Sequence, residues 1–213
     1  MRTLTGMGIA AEERQALCDL FIEVGPAAPT LCAGWQTKDL AAHLVVRESR
    51  PEAAGILLKP IAARLAKVQN DYAAKPWSEL VEQVRSGPAW YWPTRIGKLD
   101  ELVNAAEYFI HHEDVRRAQP GWEPREPDAR RDKALWQIVS RMGKLLLRSS
   151  PVGIQLRTPS GKQTTAKHAE NPVTITGEPG ELLLYAYGRD EIRVDFDGDP
   201  AAVDTVQSIN RGL

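Results

Sequence analysis

Apolar side chains recur every three or four residues through most of the first 150 residues, which is the pattern of amphipathic α-helices. Turn-forming residues separate the periodic stretches, as at Gly25-Pro26. The pattern predicts helices in AEERQALCDLFIEV, TKDLAAHLVVRE, residues 53–70, WSELVEQVRSG, DELVNAAEYFIHHEDVRR and DARRDKALWQIVSRMGKLLLR. We therefore expect a helical bundle over residues 1–150, with Thr37 as the N-cap of its second helix.

After Pro151 the apolar positions alternate in short runs, which is typical of β-strands. VGIQLRT, KQTTAKH and PVTITG predict strands in a meander or hairpin, and EIRVDFDG predicts a further strand. GEPGELLLYAYGR predicts a short helix ending at Gly188, and a helical tail begins at Pro200. The sequence thus predicts an α+β protein, with a small α+β lobe over residues 151–213 following the bundle.

Composition narrows the classes of function. The 213 residues are 43% hydrophobic, which is enough for a proper core. Lys plus Arg number 27 against 28 for Asp plus Glu, so the basic excess of nucleic-acid-binding proteins is absent from the sequence. No apolar run approaches the roughly 20 residues of a membrane span, and MRTLTGMGIAAEER lacks a signal-peptide core. We expect a cytoplasmic monomer or homodimer that binds neither nucleic acid nor membrane.

Three side chains on two predicted helices can form a metal site. Glu107 and His111 are four residues apart and lie roughly 40° apart on the helix surface, whereas His112 points elsewhere. His43 lies on the other helix. Two imidazoles and one carboxylate would bind a divalent ion and leave a coordination position for water or substrate. The same residues also fit a solvated Glu–His pair and a hydrogen-bonded core histidine, so the spacing alone leaves both interpretations open.

Neighbouring residues add further candidates, each with two interpretations. Arg47 can face the same cleft and hold a substrate carboxylate or tune a ligand, or it can be a solvated surface charge. Asp114 can orient His111 as a hydrogen-bond acceptor, or it can form an ion pair with Arg117. Cys32 can approach the site from the preceding turn, or it can be a buried structural thiol. With two cysteines and no C-x-x-C motif, we expect no disulfide framework.

Two segments resemble a known family. GWQTKDLAAHLVVRE and NAAEYFIHHEDVRR resemble the DinB-like metal-binding superfamily, in particular the N-terminal type of mycothiol-dependent maleylpyruvate isomerase. VTITGEPGELLLYAYGR followed by VDFDGD resembles the small sterol-carrier-like domain that is fused to such bundles. The resemblance covers nearly the whole chain. It implies a four-helix bundle with additional helices and a divalent ion, commonly zinc, held by His43, Glu107 and His111.

The resemblance also implies a chemistry. Mycothiol is the usual thiol of the family, and a thiol on zinc is deprotonated at neutral pH. In the isomerase the thiolate adds to an activated double bond, permits rotation and leaves again, and in related transferases it stays attached. The resemblance therefore implies a mycothiol-dependent enzyme that performs addition, transfer or isomerisation on a small electrophile. The alternative is a non-enzymatic, metal-dependent small-molecule binding or sensor protein.

Overall fold

The computed structural model describes residues 8–49, 68–87 and 98–212. Helices precede a small four-stranded sheet, which confirms the predicted α+β class. The chain divides into two compact units, Met1–Glu123 and Pro124–Leu213. The change of periodicity near residue 150 marks the point where helices give way to strands. The boundary between the two compact units lies earlier in the chain, after Glu123, because the helix that precedes residue 150 belongs to the same unit as the sheet.

The first unit contains four helices with described bounds. They are α1 (Ile9–Val24), α2 (Thr37–Ser49), α3 (Trp77–Ser86) and α4 (Lys98–Arg117). Residues 68–73 are also helical, and the rest of the helix predicted over 53–70 lies outside the described residues. Helix α1 packs against α3 and α4, and α2 packs against α3. Their apolar faces form a core that includes Leu17, Phe21, Leu40, Leu44, Leu80 and Tyr108.

The start of α2 differs from the prediction that Thr37 caps it. The Thr37 hydroxyl donates instead to the carbonyl of Gly25, 2.5 Å away, and ties α2 to the end of α1. The Gln36 carbonyl accepts from the amides of Asp39 and Leu40, so Gln36 occupies the N-cap position. The Asp39 carboxylate reaches back to the Gln36 amide at 2.9 Å, which satisfies a further donor at the helix start.

Buried polar contacts fix α2 and α4 against α1. The Tyr108 hydroxyl of α4 donates to Glu48 of α2 at 2.6 Å, and Arg14 of α1 pairs with the same carboxylate. Burial raises the pKa of Glu48, against the opposing charge of Arg14. One turn further along α4, His112 pairs with Glu13 of α1 at 2.9 Å. Removing one partner of a buried pair leaves the other unsatisfied, so these contacts hold the three helices in one register.

The second unit packs helices on one sheet. It comprises α5 (Ala129–Leu146), β1 (Ile154–Arg157), β2 (Gln163–Lys167), β3 (Val173–Thr176), α6 (Pro179–Ala186), β4 (Asp195–Asp197) and α7 (Pro200–Ser208). The strand order is β2-β1-β3-β4. The Asp128 carboxylate caps α5 by accepting from two backbone amides. Helix α5 packs against α6 and β2.

The strand pairing confirms a hairpin and contradicts a meander. Strands β1 and β2 pair antiparallel, but β3 pairs with β1 in parallel and β4 pairs antiparallel with β3. The chain crosses from β2 to the far side of β1 through residues 168–172. Gly153 permits this crossing, because a Cβ there would lie 2.7 Å from the carbonyl oxygen of Ala169. Among the described residues, no helix combines the length and the hydropathy of a membrane span.

Candidate metal centre

Helices α2 and α4 bring the three predicted ligands together. The Nε2 atoms of His43 and His111 lie 3.4 and 3.3 Å from Oε1 of Glu107. All three ligand atoms lie within 4.8 Å of one another. Glu107 and His111 are adjacent because residues four apart share one helix face. His43 reaches them only because α2 lies beside α4.

The donor set fits a divalent ion in both chemistry and spacing. Zinc–nitrogen and zinc–oxygen bonds of about 2.0–2.2 Å, at tetrahedral angles, separate two ligand atoms by about 3.4 Å. The two measured separations, 3.4 and 3.3 Å, match that value. The side chains of His43, Glu107 and His111 are 21%, 24% and 11% exposed, so a small molecule can reach them. Three protein ligands also leave one tetrahedral position for an exogenous ligand.

Arg47 contacts the carboxylate of this set. Its Nε lies 3.2 Å from Oε1 of Glu107, and its Nη1 donates to Oδ1 of Asn104 at 2.9 Å. Burial alone would raise the pKa of Glu107, but hydrogen bonds with His111 and His43 and the charge of Arg47 hold it well below its ordinary value. Asn104 was not among the predicted site residues. Its position three residues before Glu107, on the same helix face, is the signal that could have indicated it.

The other nitrogen of His111 faces a second carboxylate. Its Nδ1 lies 2.9 Å from Oδ2 of Asp114, whose side chain is 0% exposed. This contact matches the interpretation of Asp114 as a histidine partner. Arg117 pairs with Glu113 at 2.7 Å. Burial disfavours the charged imidazole, but hydrogen bonds with Asp114 and Cys32 help to raise the pKa of His111 well above its ordinary value. The ring orientation of His111 is therefore fixed from both sides.

The loop before α2 brings Cys32 to the same place. Its Sγ donates to Oδ2 of Asp114 at 3.2 Å and lies 3.8 Å from Nδ1 of His111. The backbone holds the loop there, because the amide of Leu31 donates to the carbonyl of Asp114 at 3.0 Å. Of the two interpretations of Cys32, the structure gives the one that approaches the site.

Three other residues complete the comparison with the sequence. Trp35 packs its ring against His43, with 5.1 Å between ring centroids, and sequence reasoning did not identify it. Its place in the turn just before α2 was the available signal. His112 turns away toward Glu13, which agrees with the direction derived from helix geometry. His168 is exposed in the second unit.

Comparison with known proteins supports the fold. No protein-family model and no curated protein sequence matches the chain. A solved structure of a histidine-to-alanine mutant of the mycothiol-dependent maleylpyruvate isomerase matches with a TM-score of 0.60 and 14% identity, covering 88% of this chain and 90% of that one. A structure of the isomerase itself matches with a TM-score of 0.56 and 16% identity over the same shares. At these identities the match shows the fold alone, a helical bundle followed by a small α+β part, as the sequence predicted.

Proposed function

We propose that this protein is a mycothiol-dependent enzyme that uses a divalent ion, zinc, to activate a thiol for addition, transfer or isomerisation on a small electrophile. The observation that carries the proposal is the convergence of His43 Nε2, Glu107 Oε1 and His111 Nε2 within 4.8 Å. The fold shared with the mycothiol-dependent maleylpyruvate isomerase supports the choice of thiol. The sequence of residues 151–213 supports a sterol-carrier-like type for that lobe.

The donor set favours a reactive site over a structural one. Two neutral imidazoles and one carboxylate leave a divalent ion with a net charge of about +1 and an open position. When bound, the ion supplies the positive charge that deprotonates a thiol, whose ordinary pKa is about 8.5, at neutral pH. The partial exposure of the three ligands gives the thiol a route to that position.

The surrounding residues hold and tune the ligands. Asp114 accepts from Nδ1 of His111, so the ring presents its Nε2 toward Glu107. Arg47 forms an ion pair with Glu107, and its charge helps to keep that carboxylate ionised. Trp35 packs against the His43 ring at an interplanar angle of 49°, which limits the rotation of that ring. We propose that Arg47 also attracts the negative charge of a substrate carboxylate, which makes it the candidate catalytic cation among the residues described.

Calorimetry in two buffers tests the proposal. A thiol enters protonated and binds as the thiolate, so each thiol should release about one proton. Mycothiol titrated into the zinc-loaded protein should therefore give heats that differ between phosphate and Tris, in proportion to the ionisation enthalpies of the buffers. His43→Gln should abolish binding by removing a ligand. The matched control His168→Gln, which makes the same change at an exposed site in the second unit, should leave binding unchanged.

Two outcomes would refute thiol activation. Identical heats in both buffers would mean that the thiol keeps its proton. Binding of mycothiol to the chelator-treated protein with unchanged affinity would mean that the thiol is recognised without the ion. The first result favours the metal-dependent binding or sensor protein, and the second excludes a role for the ion in binding the thiol. If proton release is observed, maleylpyruvate is the first electrophile to test for turnover.

A further inference from the structure

A second set of potential ligands lies on the opposite side of the His111 ring. Cys32 Sγ, Asp114 Oδ2 and His111 Nδ1 all lie within 4.8 Å of one another. We infer that these three atoms form a separate binding site for a soft, thiophilic divalent ion such as Cd²⁺. The site shares His111 with the proposed centre but uses the other ring nitrogen and neither His43 nor Glu107.

The three atoms lie close to the separations that a bound divalent ion requires. With the zinc bond lengths of about 2.3 Å to sulfur and about 2.1 Å to nitrogen or oxygen, tetrahedral geometry separates the ligand atoms by about 3.5 Å, and the larger Cd²⁺ needs a few tenths of an ångström more. The measured separations are 3.2 Å from Cys32 to Asp114, 3.8 Å from Cys32 to His111 and 2.9 Å from His111 to Asp114. The His111–Asp114 distance must widen by about half an ångström for an ion of the size of zinc, and by more for Cd²⁺, through rotation of the two side chains.

Charge distinguishes the two sets. A thiolate and a carboxylate neutralise a divalent ion completely, whereas the His43, Glu107 and His111 set leaves about one positive charge. The Asp114 side chain is fully buried, and a neutral complex costs less to bury than a charged one. Thiolate sulfur also prefers soft ions over hard ones. The site should therefore favour soft ions and offer little reactivity to an incoming anionic ligand.

The loop holds the thiol in place before any ion arrives. The Cys32 amide donates to Oγ1 of Thr30 at 3.2 Å, and the Cys32 carbonyl accepts from the amide of Trp35 at 2.9 Å. The Leu31 amide donates to the carbonyl of Asp114 at 3.0 Å. Because the backbone on both sides of Cys32 is hydrogen-bonded, little ordering of the chain is needed when the ion binds.

The shared histidine makes the two sites mutually exclusive. A neutral imidazole has one nitrogen that accepts and one that donates. When Nε2 binds an ion, Nδ1–H donates to Asp114. When Nδ1 binds an ion, the Cys32 proton leaves to solvent and the imidazole proton moves through solvent from Nδ1 to Nε2, which the first ion has vacated. Nε2–H can then donate to Glu107, 3.3 Å away. Each carboxylate is thus a ligand in one state and an acceptor in the other, so a soft ion at Cys32 should displace zinc from the proposed centre.

Titration with Cd²⁺ tests the inference on the full chain. Cadmium–thiolate bonds absorb in the ultraviolet, and the band should reach its plateau at about one Cd²⁺ per chain. Cys32→Ser keeps a hydroxyl that can donate to Asp114, and it should abolish the band. It should lower the affinity for Cd²⁺ by more than the roughly tenfold to hundredfold that is lost when a residue hydrogen-bonded to a metal ligand is removed. The matched control Cys18→Ser changes a fully buried core thiol and should leave the band intact. Zinc-loaded protein should release about one Zn²⁺ for each Cd²⁺ bound.

The two sites can be judged independently. Glu107→Gln should lower the affinity for zinc while the cadmium–thiolate band remains. The zinc affinity of this variant tests only the centre in the proposed function and not the second site. A band that persists in Cys32→Ser, or wild-type protein that shows no band, would overturn the second site. Cd²⁺ that binds with a thiolate band but releases no Zn²⁺ would overturn the mutual exclusion. If instead zinc affinity survives Glu107→Gln and the band disappears in Cys32→Ser, the second site stands and the proposed centre fails.

Discussion

Replacing His111 or His112 by glutamine should distinguish a histidine that binds metal from one that only stabilises the packing of the helices. His111 and His112 are neighbours on α4, and each ring places its Nδ1 2.9 Å from a carboxylate oxygen, of Asp114 and Glu13 respectively. They differ at the other ring nitrogen, because Nε2 of His111 lies 3.3 Å from Glu107, a member of the candidate metal set. We expect His111→Gln to lose metal-dependent stabilisation and His112→Gln to keep it.

The size of the effect follows from the ligand set. An ion that binds only the folded protein, present at 100 times its Kd, stabilises that protein by about 2.7 kcal/mol. For a chain of 213 residues this raises Tm by about 5–11 °C. His111→Gln leaves two of the three ligands, so most of the shift should disappear. A glutamine amide can still donate to the facing carboxylate in either variant, so the loss of stability without added zinc should be similar in both, about 1 kcal/mol.

Thermal denaturation followed by circular dichroism measures the difference. Each protein is melted after chelation and again with zinc, and the zinc-dependent change in Tm is compared among wild type and the two variants. Comparing each variant with itself cancels its own loss of stability. A full zinc-dependent shift in His111→Gln, or its loss in His112→Gln alone, would show that the facing of these two rings has been assigned incorrectly.

Three further predictions follow from the same structure. A chain ending at Glu123 contains the three candidate ligands within one compact unit and should bind zinc at wild-type stoichiometry by elemental analysis. A chain ending at Ser150 exposes the side of α5 that packs on β2 and should be less soluble. If the shorter chain is helical by circular dichroism yet binds no zinc, a ligand must lie in the second unit. Burial raises the pKa of Cys18 to about 12, so iodoacetamide at about pH 8 should alkylate it only after denaturation, and peptide mass spectrometry of the folded protein would reveal any contradiction. Burial also raises the pKa of Tyr185 from 10.0 to about 12, so the folded state holds this proton more tightly than the unfolded state. The resulting stabilisation is complete below pH 10 and is lost as the pH rises toward 12, so urea titrations should show a smaller alkaline loss of stability in Tyr185→Phe than in wild type. Equal losses in the two proteins would exclude Tyr185 as the cause.

Local spacing in the sequence was enough for the features that depend on one element at a time. Helical periodicity predicted α1, α2, α3, α4 and α5, and alternation predicted the β1–β2 hairpin. The four-residue interval placed Glu107 beside His111 and turned His112 away, because the helix repeat alone fixes these directions. Even within one element, apolar periodicity does not fix burial: Val103 of α4 has an apolar side chain but is 48% exposed.

Packing between elements decided the rest. His43 and Glu107 are 64 residues apart, and nothing local to either indicates the 3.4 Å between their side-chain atoms. The contact between Cys32 and Asp114 likewise depends on how the loop before α2 lies on α4. The parallel pairing of β3 with β1, on the side of β1 opposite β2, also has no local signal. The pattern of a helix or strand specifies which of its faces is apolar but not which other element packs against that face. The packing partner depends on the apolar packing and the buried polar contacts of the whole unit. The sequence by itself therefore determined that Glu107 and Asp114 lie beside His111 on α4, and the tertiary structure decided that His43 and Cys32 join them.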